Sequence, residues 1–533
     1  MGTVLSVAVV TLPHVATPGA GKGSAMTSPP RPRVLPSPCL PATARERLAW
    51  LLRQNRLHRL GGALAKQRDF VAAMHDLGYS ADPSRVSRWE KALLEPPPRV
   101  LLGYERVLGL PDGSLLALAE GLYRCLDPTR PTAWLVPPQP LAADELDIRL
   151  HELLERALAG AADAGQWLEL ATLLPHVQLA FHPREGADEL ASRLITEMIR
   201  SVGTAYLSRF EALRLLVRRA RLRDAIIREV GALVTDPWSG SPIDAVTLLS
   251  EVEHPKAAET VARLLYDERA VVRQAAVWTM TAQLARGQVS AQTLTYLEAA
   301  VVDRIRGDAV NARAFTGLVA HLPPASRRRV LAAAGDVRVV FDADQPDSAR
   351  TDTGLAARLI RRVRTAAPDL SDDGVFDTVL CEALTHPRDE RRHQASLVLM
   401  MTPQRPVLAR ALLQTADPDR ELGVRTASLL SYVASSAERP ALAELLRRSQ
   451  SRPDAVGQVA ALWSTLAHIQ QPVTEADLVE RSIIGSRTDQ HAMMYALGMT
   501  GSPFLDSLAL REGDPLVAGQ AMWWRRIGPA LHH

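Results

Sequence analysis

The chain has 533 residues, 47% of them hydrophobic and 5% aromatic, with a net charge of +3. That length and apolar content support large cores, and no uninterrupted apolar run of about 18 residues is present to span a membrane. The three cysteines, Cys39, Cys125 and Cys381, are odd in number and far apart, so a disulfide framework is not expected and a reducing cytoplasm is.

Ala and Leu abound while alternating strand-like runs are scarce, which predicts an all-α protein. Nearly all positive charge is arginine; the four lysines are Lys22, Lys66, Lys91 and Lys256. Guanidinium matches phosphate geometry, a first pointer to a polyanion. Charge is also segregated: residues 1–41 carry +3, residues 42–110 carry +5 and residues 111–533 carry −5. The N-terminal end is where a polyanion would be drawn.

Within residues 1–41, the stretch "TPGAGKGSAM" at 17–26 follows the apolar "VLSVAVV" and has the glycines, lysine and hydroxyl of a phosphate-binding loop. Ala16 and Gly23 stand where G-x-x-x-x-G-K-[ST] needs Gly and Ser or Thr. Prolines at 29, 30, 32, 36, 38 and 41 also prevent the helix that would aim its N-terminus at the anion. Residues 1–41 therefore read as a disordered, Pro-rich extension without a nucleotide cofactor. The first residues lack a basic n-region, so no signal peptide is expected.

Residues 42–126 read as a separate helical domain. "ARERLAWLLRQNRLHRL" places Leu48, Leu51, Leu52 and Leu57 on or near one face. "DFVAAMHDLG" reads as a short helix stopped at Gly78. Asp82 then reads as an N-cap and Pro83 as a first helical residue. The helix they open, "PSRVSRWEKAL", is expected to turn Val86, Trp89 and Leu93 inward and to leave Ser84, Arg85, Ser87 and Arg88 on its outer face.

"SRVSRWEKALLEPPPRVLLGYERVLGL" resembles the phage-repressor (Cro/XRE) family of helix-turn-helix DNA-binding domains. Val86, Ser87, Arg88, Trp89 and Glu90 match the end of the family's recognition helix, and Leu108, Gly109 and Leu110 its closing phrase. The resemblance implies double-stranded DNA as partner. Ser84, Arg85, Ser87 and Arg88 would read bases and flanking phosphates in the major groove, Arg68 would contact phosphate, and Arg53 would form a structural ion pair with Glu90.

Residues 127–144 read as a linker and 145–533 as an α-solenoid. The clearest unit, "HPKAAETVARLLYDERAVVRQAAVWTMTAQL" (254–284), resembles a HEAT repeat, L-L-x-D followed by V-R-x-A-A. Echoes occur around Arg392 and Ala395, around Arg425 and Ala427, and more weakly near Val310 and Val517. Arginine clusters at 214–229, 325–330 and 359–365 read as solvated helix faces. Trp523, Trp524, Tyr495, Met493 and Met494 read as packing residues.

No metalloprotease, zinc-ribbon or nucleophile-elbow pattern occurs; His176/His182 are poorly phased and His386/His393 lie two turns apart, without the cysteines and spacing of a metal site, so neither catalysis nor metal nor cofactor is expected. The expected protein is a regulator, typical of bacteria, that pairs as a homodimer on DNA. Its array would bind a protein, peptide or small-molecule effector, an architecture similar to that of peptide-sensing regulators. The alternatives are a HEAT-like interaction scaffold without DNA binding and a HEAT-like DNA-repair glycosylase.

Overall fold

Thr43 opens the first helix with a reciprocal cap: its hydroxyl accepts from the Glu46 amide at 3.2 Å while the Glu46 carboxylate accepts from the Thr43 amide at 2.7 Å. From there a computed structural model describes residues 42–531 apart from 128–141, 177–183, 308–314, 316–317, 335–347, 368–373, 387, 416–419 and 453. The extension 1–41 with its loop-like stretch, most of the linker, His182 and the repeat echo at Val310 lie outside the described residues.

The N-terminal module has five helices: α1 (Ala44–His58), α2 (Gln67–Asp76), α3 (Pro83–Glu90), α4 (Pro98–Leu108) and α5 (Ser114–Leu126). Beyond it, helix hairpins stack side by side, and the named elements among the described residues are all helical. The protein is an all-α helical-repeat array. We call its helices from Ala143–Ala159 to Ala291–Gly307 the first limb and those from Val375–Thr385 to Pro515–Ile527 the second; in the second, the alternate helices Asp389–Met400, Arg420–Val433, Val456–His468, Arg487–Thr500 and Pro515–Ile527 pack directly on one another.

The HEAT-like unit at 254–284 folds as helices Pro255–Leu264 and Ala270–Ala285. In its turn, Asp267 accepts from the Arg269 amide at 2.9 Å and Arg273 donates to the Asp267 carbonyl at 2.8 Å. Arg392 repeats this device on the His386 carbonyl at 2.5 Å, and Arg425 donates to the Leu384 carbonyl at 3.2 Å. Ala275, Ala276, Ala395 and Ala427 are buried, which lets neighbouring helices approach closely.

Three expectations need correction. First, residues 42–126 are not a detached domain. Trp50 packs on Phe376 with ring centroids 6.2 Å apart, Arg47 pairs with Glu382 at 2.8 Å, and Asn55 donates to the Met401 carbonyl at 3.0 Å. One apolar core runs from Ala44 into the array. Second, the arginine cluster at 214–229 is a solvated face only in part: Arg218, Arg221 and Arg228 are exposed, but Arg214 is buried against Glu120 and Glu211 and Arg219 donates to the Leu174 carbonyl. Third, Cys381 is disulfide-bonded, whereas Cys125 is a free thiol that burial pushes up to about 12; Cys39 lies outside the described residues.

The aromatic residues near the C-terminus do pack as expected. Trp523, Trp524, Tyr495, Met493 and Met494 are buried. Trp524 lies close against Gly498 and against Gly240 of the first limb, where a Cβ on either glycine would overlap the indole. The chain end completes this seam: Ala530 donates to the Met499 carbonyl at 2.9 Å and Leu531 to the Arg200 carbonyl at 2.8 Å. The array thus closes on itself.

Gly498→Ala is expected to destabilise the protein by about 1–3 kcal/mol through overpacking against Trp524, read as a lowered thermal midpoint. A second expectation concerns acid. Burial pushes His393, His468 and His491 down to about 4, so the folded state favours neutral rings. Between about pH 6.5 and 4 the unfolded chain then binds more protons, and stability declines as pH falls through that window. Urea midpoints at pH 7 and pH 5 check this, with the lower midpoint expected at pH 5.

Candidate nucleic-acid interface

The candidate recognition helix α3 forms because its start is doubly specified. Asp82 accepts from the Arg85 amide at 2.9 Å, and Pro83 occupies the first helical position, where no amide donor is needed. Gly78, at φ +78°, turns the chain out of α2 in a left-handed conformation that a side chain would strain. His75 Nε2 sits 2.7 Å from the Ala81 carbonyl and ties the turn together.

Val86 and Trp89 point into the core, while Ser84, Arg85 and Arg88 are exposed and Ser87 is half-buried. Four of the five proposed DNA-contacting residues therefore share one helix and are turned away from the core. Arg85 reaches Asp82 at 3.4 Å but remains 54% exposed. Arg68 stands apart at the start of α2, 76% exposed and paired with its neighbour Asp69 at 3.2 Å. The main packing partners of α3 are α1 and α2, and the exposure of Ser84, Arg85 and Arg88 leaves its outer face uncovered among the described residues.

Leu93 departs from the expected inward position. The helix ends at Glu90, Ala92 adopts φ 58°, and Leu93 emerges 69% exposed. Its amide donates back to the Arg88 carbonyl at 2.9 Å, so the chain has turned out of the helix before Leu93 can face the core.

The structural ion pair also moves. Glu90 is held by Arg56, not Arg53, through two bonds of 2.6 and 2.7 Å. Arg56 continues the buried stripe Leu48–Leu52 at intervals of four, whereas Arg53 lies on the half-exposed flank. That spacing was the signal available in the sequence. Tyr104 adds a third bond to Glu90 at 3.0 Å, and burial beside that carboxylate pushes its phenol well up, which keeps it a donor. Sequence reasoning also passed over Lys91, exposed just past α3, and Arg99, whose guanidinium donates to the Gly78 carbonyl at 3.0 Å.

Among the described residues no cluster of His, Cys, Asp and Glu could hold a metal ion, and no helix is long and apolar enough to cross a membrane. His386 accepts from the Arg388 amide and His393 bonds the Tyr432 hydroxyl, so the two do not converge.

No family model and no curated protein matches the chain. Among solved structures, the condensin Cnd3–Cnd2 subcomplex of S. pombe is similar at 12% identity and a TM-score of 0.22, over 90% of this chain and 69% of that one. An engineered protein is similar at 15% identity and a TM-score of 0.19, over 71% of this chain and 98% of that one. Likeness at that level does not bear on function.

The two candidate ion-pair arginines separate cleanly in a stability assay. Arg56→Ala leaves the buried Glu90 carboxylate without its strongest partner and is expected to cost about 3–5 kcal/mol. Arg53→Ala, on the half-exposed flank, is expected to cost less than about 1 kcal/mol. Denaturant midpoints of the two variants check the assignment.

Proposed function

We propose that the chain is a helical-repeat interaction scaffold that carries a DNA-contacting helix-turn-helix at its N-terminal end and acts as a transcriptional regulator. The observation that carries this reading is the presentation of α3. Its core residues close against α1 and α2, its start is capped, and Arg85 and Arg88 stand exposed on a face that the array leaves open. Arginines so placed suit bidentate bonds to guanine O6 and N7, with Ser84 and Ser87 beside them for shorter contacts. Arg68 serves as a phosphate contact, and the excess of positive charge in residues 1–110 supplies the long-range attraction. A homodimer would place two such helices on a palindromic site about 34 Å apart.

The array supplies the surface for a protein, peptide or small-molecule effector. A scaffold reading without DNA is favoured by a different observation: α1 is built into the array through Arg47–Glu382 and Asn55–Met401, as a terminal repeat would be.

Retention of the intact protein on duplex DNA across a salt series separates the two, because phosphate contacts release counterions and make log affinity fall with log salt. Unbiased DNA selection then identifies the site. On that site Arg88→Ala is expected to weaken binding by about 1–3 kcal/mol and to relax preference at one base position. Absence of any salt-dependent retention rejects DNA binding and leaves the scaffold.

A further inference from the structure

Helix α5, the last of the module, packs on both limbs of the array. Toward the first limb, Arg124 donates to Glu211 at 2.6 and 3.2 Å and lies 3.7 Å from Glu251, while Glu120 accepts from Arg214 at 2.6 Å. Arg214 also donates to Glu211 at 2.5 Å, so five charged groups form one buried network. Toward the second limb, α5 packs on Asp389–Met400, and Gly121 admits Gln394 where a Cβ would come within 2.9 Å of its amide oxygen.

The other end of α5 is fastened to α4. The Glu105 carboxylate accepts from the amides of Gly113, Leu115 and Leu116 at 2.7, 2.5 and 3.2 Å and so caps the first turn of α5. The residue before it, Tyr104, packs on Phe70 of α2 with ring centroids 4.5 Å apart and donates to Glu90 at the end of α3. Buried polar bonds therefore run from the first limb through α5 and α4 to the candidate recognition helix, while the second limb meets α5 by packing.

We propose that α5 is a strut that couples the array to α3: a change in the spacing of the two limbs displaces α5, and Tyr104 and Glu105 pass that displacement to the end of α3. Tyr104 and Glu105 are positioning residues, not DNA contacts. Directional polar bonds suit this role because each has one preferred geometry, and rupture of any leaves a buried group unpaired. The consequence for DNA affinity rests on the DNA-binding reading above; the mechanical coupling does not.

Hydrogen exchange on the full chain tests it without DNA. Arg124→Gln breaks the joint to the first limb, Glu105→Gln weakens the cap between α4 and α5, and Arg447→Gln removes an exposed pair with Asp477 on an outer helix as a control. Exchange of amides in residues 86–94 is expected to quicken about two- to thirtyfold in the first two variants and to stay unchanged in the control, the range over which contact networks couple distant sites. If Arg124→Gln fails to fold, Glu105→Gln alone decides. Faster exchange at residues 113–116 with none at 86–94 overturns the strut, as does equal acceleration of α3 in the control. Salt-dependent DNA retention of the same variants is scored separately, so a chain that never binds DNA removes the regulator reading and leaves the exchange result standing.

Discussion

The buried charge on α5 is the constraint around which the rest is arranged. Glu120 and Arg124 lie where the module meets the array, and neither can be taken out of water without a partner. Glu211 serves both Arg124 and Arg214, so the carboxylate stays ionised despite burial, its pKa lowered by two guanidiniums. Burial likewise pushes Glu251 up, but Arg124 and Arg286 override it and hold the carboxyl down to about 2. A fork of five donors can serve two carboxylates at once, which a lysine ammonium does not do with fixed geometry.

That chemistry extends along the array and gives the arginine bias a structural meaning. Helix C-termini leave carbonyls without intrahelical partners, and stacked repeats bury many of them. Arg405 donates to the carbonyls of Val433 and Ala434, Arg286 to that of Ser250, Arg439 to that of Gln471 and Arg304 to that of Tyr266. Arg286 and Arg304 reach a neighbouring hairpin, whereas Arg405 and Arg439 tie the start of one helix to the end of its partner in the same hairpin. The scarcity of lysine therefore reflects in part how the repeats are fastened.

Local chemistry was legible in the sequence and distant pairing was not. The Asp82–Pro83 start of α3 involves residues three apart, and the turn at Asp267 residues within six, so caps and periodicity found both. The partner of Glu90 was misplaced by one helical turn because resemblance supplied a position, while the stripe Leu48–Leu52–Arg56 carried the physical answer. Leu93 was misjudged because one residue in the left-handed region, Ala92, ends the helix earlier than its hydrophobic period suggests. Arg124 with Glu211, 87 positions apart, and the seal of Trp524 on Gly240 have no local signature at all. Nor did the buried polar face of α1 stand out, since Arg47, Gln54 and Asn55 look like solvated residues until helix Val375–Thr385 and the turn after Met400 cover them.

That face of α1 bears directly on how the module can work. One side of α1 closes the five-helix module through Leu48, Leu52 and Arg56, and the other docks on the array through Arg47, Trp50 and Asn55. A module fastened on both sides of its first helix cannot swing on a tether to find its orientation. If two copies pair on DNA, the distance between their α3 helices is then fixed by how the arrays meet, and a partner that alters the curvature of one array alters the spacing that the pair can read. Rigid docking, rather than a flexible connection, is what would let a long helical array govern a short helix at its end.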